Sequence, residues 1–270
     1  MNRLPSWTAE KTASSFDSPF ENSASPNGGL QRIDCDSVDQ LLSPMSVRQG
    51  VPFQVFSPLH YEKNYEYPLV VWLHGPAANE RQLLRVMPQL SARNYVGVAP
   101  RGIKTGQCEF DWPDSNHSAE AALERILDAV ESAKSQLNIA ANHVYLVGYQ
   151  SGGTVAMRIA LKYPDLFAGF ANIGGHFPRG DQPLRNLDSV RRTQLLMMFG
   201  EDSPLYGTVD VCSDLPLFHA AGLKLLMRQY PGDGELTTQM LHDLNVWIME
   251  RVTGQTMDPA PFEPGSTSWN

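Results

Sequence analysis

From about residue 50 to residue 252 the chain alternates short apolar runs with longer amphipathic stretches. Tyr67-Pro68-Leu69-Val70-Val71-Trp72-Leu73 is almost continuously apolar, the pattern of a strand covered on both faces of a parallel sheet. Tyr95–Ala99, Val144–Val147, Phe167–Ile173, Leu195–Phe199 and Leu223–Tyr230 predict further strands, and Phe53–Phe56 an early one. Ala122, Ile126, Val130, Ala133 and Leu137 recur at helical spacing, so Ala119–Leu137 predicts a helix. Gly152–Leu161, Val211–Ala221 and Leu236–Val252 predict three more, the last with a stripe of Leu241, Leu244, Ile248 and Val252. This alternation predicts an α/β fold: a doubly wound, mostly parallel sheet with helices on both faces. Such sheets bind ligands outside the carboxyl ends of their strands.

Four segments stand at those ends: His74-Gly75-Pro76-Ala77-Ala78, Gly148-Tyr149-Gln150-Ser151-Gly152-Gly153, Gly200-Glu201-Asp202-Ser203 and Pro231-Gly232-Asp233-Gly234-Glu235. The second has the form of a nucleophile elbow. That turn is sharp, so it needs a small residue two places before its apex and another two places after. Only Gly148 and Gly152 satisfy the rule together, and they put Gln150 at the apex. With Ser151 at the apex, Tyr149 would occupy a place that needs a glycine.

Composition narrows the reading. The 270 residues are 42% hydrophobic and 19% charged, enough for one large core. A net charge of -8 without a basic run argues against nucleic acid and anionic membranes as partners. No stretch is apolar and long enough to span a bilayer, and the amino-terminal residues lack a signal-peptide core, so a cytoplasmic location is expected. Residues 1–30 and 254–270, rich in small polar residues and proline, predict flexible tails around a single domain at 31–253. Cys35, Cys108 and Cys212 are too few and scattered for a disulfide framework or a zinc site. The histidines show no metal-ligand spacing, and no Gly-x-Gly-x-x-Gly follows a strand, so no cofactor is expected.

Val70-Val71-Trp72-Leu73-His74-Gly75, Ala99-Pro100-Arg101-Gly102, Tyr145 to Gly153 and Glu235 to Ile248 occur in the order and spacing of one family. Over roughly residues 50–252 the chain resembles an α/β-hydrolase of the carboxylesterase/phospholipase group, which includes acyl-protein thioesterases. The resemblance implies that fold and a Ser–Asp–His triad. It also identifies the triad positions, and this chain departs at each. The family's elbow reads Gly-x-Ser-Gln-Gly-Gly, whereas serine and glutamine are exchanged here, leaving Gln150 at the nucleophile position. The acid position falls on Ser203, one residue after Asp202, and the histidine position on Gly234.

In a triad the serine attacks, the histidine takes its proton and the acid orients the imidazole. A glutamine carboxamide does not attack an ester, and glycine offers no base. An intact oxyanion hole alone retains roughly 10³-fold acceleration over water, far below a working esterase. The sequence therefore predicts a catalytically silent hydrolase that binds a small acyl or ester-like ligand, or a protein partner, in the old cleft. The expected contacts are His74, Gly75, Pro76, Ala77, Gln150, Ser151 and His176. The alternative is an active esterase or thioesterase rebuilt from Ser151, Asp202 and His176, and an imidazole within hydrogen-bond reach of the Ser151 hydroxyl would favour it. Otherwise Ser151 is expected to cap a helix start through its hydroxyl. Cys108 has no readable neighbour that would make it a thiolate. Sequence does not fix the oligomeric state.

Overall fold

The computed structural model describes residues 50–180 and 184–255. The predicted tail at 1–30 and most of that at 254–270 lie outside these residues. Seven strands form one sheet in the order β1-β3-β2-β6-β7-β8-β9. They are β1 (Phe53–Phe56), β2 (Tyr67–Leu73), β3 (Val96–Pro100), β6 (Ile139–Tyr149), β7 (Gly169–Ile173), β8 (Leu195–Gly200) and β9 (Leu225–Tyr230). Only β1 runs antiparallel, with Phe53 opposite Pro100; every other neighbour pair is parallel. A small hairpin, β4 (Ile103–Lys104) and β5 (Phe110–Asp111), follows β3.

Helices cover both faces because the strand side chains alternate between two cores. Leu69, Val71, Leu73, Val144 and Leu146 pack with α2 (Asn116–Gln136) and α3 (Ser151–Lys162). Val70, Trp72, Tyr145 and Val147 pack with α1 (Leu83–Leu90) and α6 (Thr238–Thr253). Burying a large apolar side chain contributes about 1.5–3 kcal/mol, so the fully buried β2 is the anchor of both layers. Two further helices, α4 (Leu187–Val190) and α5 (Thr208–Ala221), precede and follow β8.

The predicted strands and long helices are present, with shifted ends. The Ser115 hydroxyl accepts from the Ser118 N–H and starts α2 three residues ahead of the predicted Ala119. The helix α1 was not predicted. It is one of the shorter helices and carries Pro88 internally, a residue that reads as a breaker.

Candidate active site

The carboxyl end of β6 delivers the chain into the elbow. Between Tyr149, the last residue of β6, and Ser151, the first of α3, Gln150 stands alone with φ 48 and ψ -114. This backbone conformation is costly for a side chain with a β-carbon and persists only where its surroundings impose it. Here they do. The Gln150 N–H donates to the Ile173 carbonyl at 2.7 Å, and Thr154 N–H donates to the Gln150 carbonyl at 3.0 Å. A β-carbon on Gly148 would lie 2.1 Å from the Gly152 carbonyl oxygen, and one on Gly152 would lie 2.5 Å from that of Leu73. Both places accept glycine alone. The Gln150 amide nitrogen then donates to the Tyr149 hydroxyl at 3.1 Å. Burial pushes that phenol up to about 12, against a backbone hydrogen bond from Leu236 that lowers it.

Gln150, Gly234 and Ser203 come together at the carboxyl ends of β6, β9 and β8. A β-carbon on Gly174 would stand 3.7 Å from Gln150 Cγ and 3.6 Å from the Gly234 carbonyl oxygen. On the other side, Ser203 Oγ is 3.1 Å from the position of a β-carbon on Gly234, whose φ is 85. Ser203 Oγ accepts from the N–H groups of Tyr206 at 3.3 Å and Leu205 at 3.4 Å, which makes it part of a turn. The turn hydroxyl of Ser203 thus borders the empty side-chain position of Gly234, and Gly174 separates the Gly234 carbonyl from Gln150.

The loop after β2 requires two corrections. His74, expected to contact ligand, is fully buried. Its Nε2 accepts from the Gly102 N–H at 3.0 Å, which fixes the proton on Nδ1, from where it is donated to the Gly75 carbonyl at 2.8 Å. Its ring packs against Trp112 with centroids 5.2 Å apart, and desolvation holds its pKa below the ordinary histidine value. His74 therefore ties the ends of β2 and β3 together. Gly75 is also engaged, because its N–H donates to Gln82 Oε1 at 3.2 Å. Pro76 has no N–H. Ala77 is exposed and stands in a left-handed conformation at φ 54.

Ser151 opens α3, so its N–H stands in the first turn, outside the intrahelical ladder. Its hydroxyl is buried without a hydrogen-bond partner, contrary to the expected capping bond. No imidazole therefore reaches Ser151 Oγ. His176 is half-exposed at the start of the loop after β7, with Nδ1 3.1 Å from the Phe177 carbonyl oxygen and Nε2 3.9 Å from Asp114 Oδ2. Asp202 is exposed, and its N–H donates to the Gly232 carbonyl at 2.9 Å. The carboxylate beside His176 is Asp114, so Ser151, His176 and Asp202 form no hydrogen-bonded relay.

Sequence reasoning missed Asp114, which lies in an irregular connection where spacing carries no signal. Asp114 Oδ1 accepts from Arg158 Nε at 2.7 Å, and the Arg158 side chain is 2% exposed. Arg158 also donates to the Arg179 carbonyl at 2.8 Å. Asn172 both accepts from and donates to the Gly175 backbone, at 2.9 and 2.8 Å. The Thr154 hydroxyl donates to the His176 carbonyl at 3.1 Å. These bonds hold the loop and present the His176 ring at its surface. Cys108 is disulfide-bonded, which removes it as a thiolate. Among the described residues no three His, Cys, Asp or Glu side chains cluster as a metal site, and no helix is long and apolar enough to cross a membrane.

Comparison with known proteins agrees with this architecture. A family model described as "Putative esterase" matches residues 45–179. "Putative esterase NocK" of Nocardia uniformis subsp. tsuyamanensis is 27% identical over 142 residues, which are 51% of this chain and 40% of NocK. The chain thus spans well under half of that relative. "Probable carboxylesterase SOBER1-like" of Arabidopsis thaliana is 24% identical over 212 residues, covering 68% of this chain and 78% of the relative. Among solved structures, the Bacillus cereus carboxylesterase superposes with a TM-score of 0.59 at 15% identity, over 74% of this chain and 94% of its own. YahD with malic acid gives 0.59 at 14% identity, over 74% and 99%. At such identities the structural likeness speaks for the α/β-hydrolase fold alone.

Proposed function

The chain belongs to the esterase family whose model matches half of it, and from that premise we propose that it is a catalytically silent member which binds a small acyl-type or carboxylate ligand in the inherited cleft. The observation that carries this reading is the content of the elbow: its strained apex holds the Gln150 carboxamide, bonded to Tyr149, and the histidine position on the last loop is Gly234. Nucleophile and base are both missing where the turn would aim them.

Binding needs less than catalysis. The Ser151 N–H at the start of α3 and the Ala77 N–H are suited to an anionic or carbonyl oxygen, and the imidazole of His176 supplies a polar rim. YahD, of the same fold, was solved with malic acid, a carboxylate of this class. The rebuilt-esterase alternative finds no support in the Ser151 hydroxyl, which has no hydrogen-bond partner.

Thermal-shift titration with acetate, butyrate, octanoate and malate tests the binding half. A ligand at 100 times its Kd stabilises by about 2.7 kcal/mol, a readily measured rise in Tm, and His176→Ala is expected to weaken it. No shift with any of the four acids counts against ligand binding.

A further inference from the structure

The helix α5 turns a carboxylate toward the core. Its inward line is Val211, Asp214, Phe218 and Ala221, at helical spacing, and Asp214 is only 2% exposed. The Tyr206 hydroxyl donates to its Oδ2 at 2.7 Å, and Arg179 Nη2 reaches its Oδ1 at 2.7 Å. Burial, and then the bond to Asp214, raise the Tyr206 phenol above its ordinary pKa, so it remains a donor. The Arg179 side chain is 63% exposed and comes from the loop after β7. An ion pair with a buried partner is weak evidence for stability, since apolar residues often replace it without loss. What such a pair does supply is a fixed place for the segment that brings the cation.

That segment carries His176. Three residues after it in sequence, the Arg179 carbonyl accepts from Arg158 Nη2 at 2.8 Å. Arg158 Nε donates to Asp114 Oδ1 at 2.7 Å, and Asp114 Oδ2 stands 3.9 Å from His176 Nε2. Arg158 thereby connects the Arg179 backbone with the carboxylate beside the imidazole. Phe177, between His176 and Arg179, is buried, and its ring meets that of Phe218 with centroids 4.9 Å apart. Phe218 belongs to the same inward line of α5 as Asp214. The backbone of Arg179 is held from α3, and its side chain from α5.

We propose that Asp214 is a positioning residue of the cleft: by holding Arg179 it fixes the loop from Gly174 to Gly180 and, through it, the place of the His176 imidazole at the rim. An apolar residue at 214 would still pack α5 against the core. The loop would keep its polar bonds to α3 and β7 but lose its ion pair to α5. The consequence for ligand binding rests on the reading of the cleft given above, whereas the place of the ring does not.

Amide hydrogen exchange and the imidazole Cε1–Hε1 signals of the full chain, both recorded without ligand, test it. The His176 signal is identified by its loss in His176→Ala. Asp214→Asn keeps the shape of the side chain and an acceptor for Tyr206, but removes the charge that holds Arg179. The expected result is a shifted His176 signal and faster exchange over residues 174–180, with the His74 signal and exchange along α5 unchanged. Arg179→Met, altered on the exposed side of the pair, is expected to do the same, and Arg179→Lys to retain the wild-type signal. A purely structural Asp214 would instead speed exchange along α5 and leave the His176 signal in place, which overturns the proposal. Equal shifts in Arg179→Met and Arg179→Lys overturn it too. Failure of all four acids to bind would count against the cleft reading alone.

Discussion

Ser203 Oγ lies 3.1 Å from the point where a β-carbon on Gly234 would stand. The two positions to which the resemblance assigns the acid and the histidine are therefore close neighbours, with little room between them. A side chain introduced at residue 234 meets the Ser203 hydroxyl and its Cβ at 3.2 Å, and it must also adopt φ 85. Reversion at this place is opposed by backbone and by space.

Gly234→Ala is accordingly expected to destabilise the protein by about 1–2 kcal/mol, the cost of a β-carbon in left-handed backbone. Urea unfolding monitored by fluorescence measures it. A neutral substitution would show that the loop relaxes freely, and that the missing histidine has no structural obstacle.

The elbow apex gives a second expectation. Gln150 holds φ 48 whatever its side chain does, because Ile173, Gly148 and Gly152 fix the turn. Gln150→Gly and Gln150→Ala both lose the bond to Tyr149, but only alanine keeps the strain. The glycine variant should be more stable than the alanine variant by about 1 kcal/mol. Equal stability would mean that the apex is not strained.

His74 predicts a pH dependence. It is buried and neutral, with its pKa lowered chiefly by desolvation from the ordinary 6.5. Below pH 6.5 the unfolded state binds a proton that the folded state does not, so stability falls as pH falls from 6.5 towards the folded pKa, then levels off. The slope contributed is up to about 1.4 kcal/mol per pH unit. His74→Asn should lose this component while keeping the rest of the profile. Parallel profiles for the two proteins between pH 7 and pH 5 would contradict it.

The buried pair Glu80–Arg101 makes a fourth test. Arg101 Nε and Nη2 donate to Glu80 Oε2 and Oε1 at 2.8 and 2.6 Å, both residues being buried. Glu80→Ala leaves a buried guanidinium without its carboxylate, at a cost of about 3–5 kcal/mol. Chemical denaturation reads this directly, and a loss below 1 kcal/mol would place the pair among weak surface bridges.

The strands were legible because they are buried on both faces and read as unbroken apolar runs. The elbow register was legible because two glycines with no room for a β-carbon bracket a single position. His74 was misread for a reason local sequence cannot carry: the Gly102 N–H that occupies its Nε2 comes from 28 residues away. Asp114 escaped for the same reason, since its partners Arg158 and His176 are brought to it only by the fold. Ser151 looked like an ordinary helix cap, yet its hydroxyl faces no donor or acceptor.

The proposal of a silent cleft is tested most directly by p-nitrophenyl acetate and butyrate hydrolysis by the wild-type protein beside Ser151→Ala. The geometry of Gln150 and Gly234 predicts no turnover, or an equal trace from both proteins. Turnover by the wild type that disappears in Ser151→Ala would establish a working serine nucleophile and contradict the account.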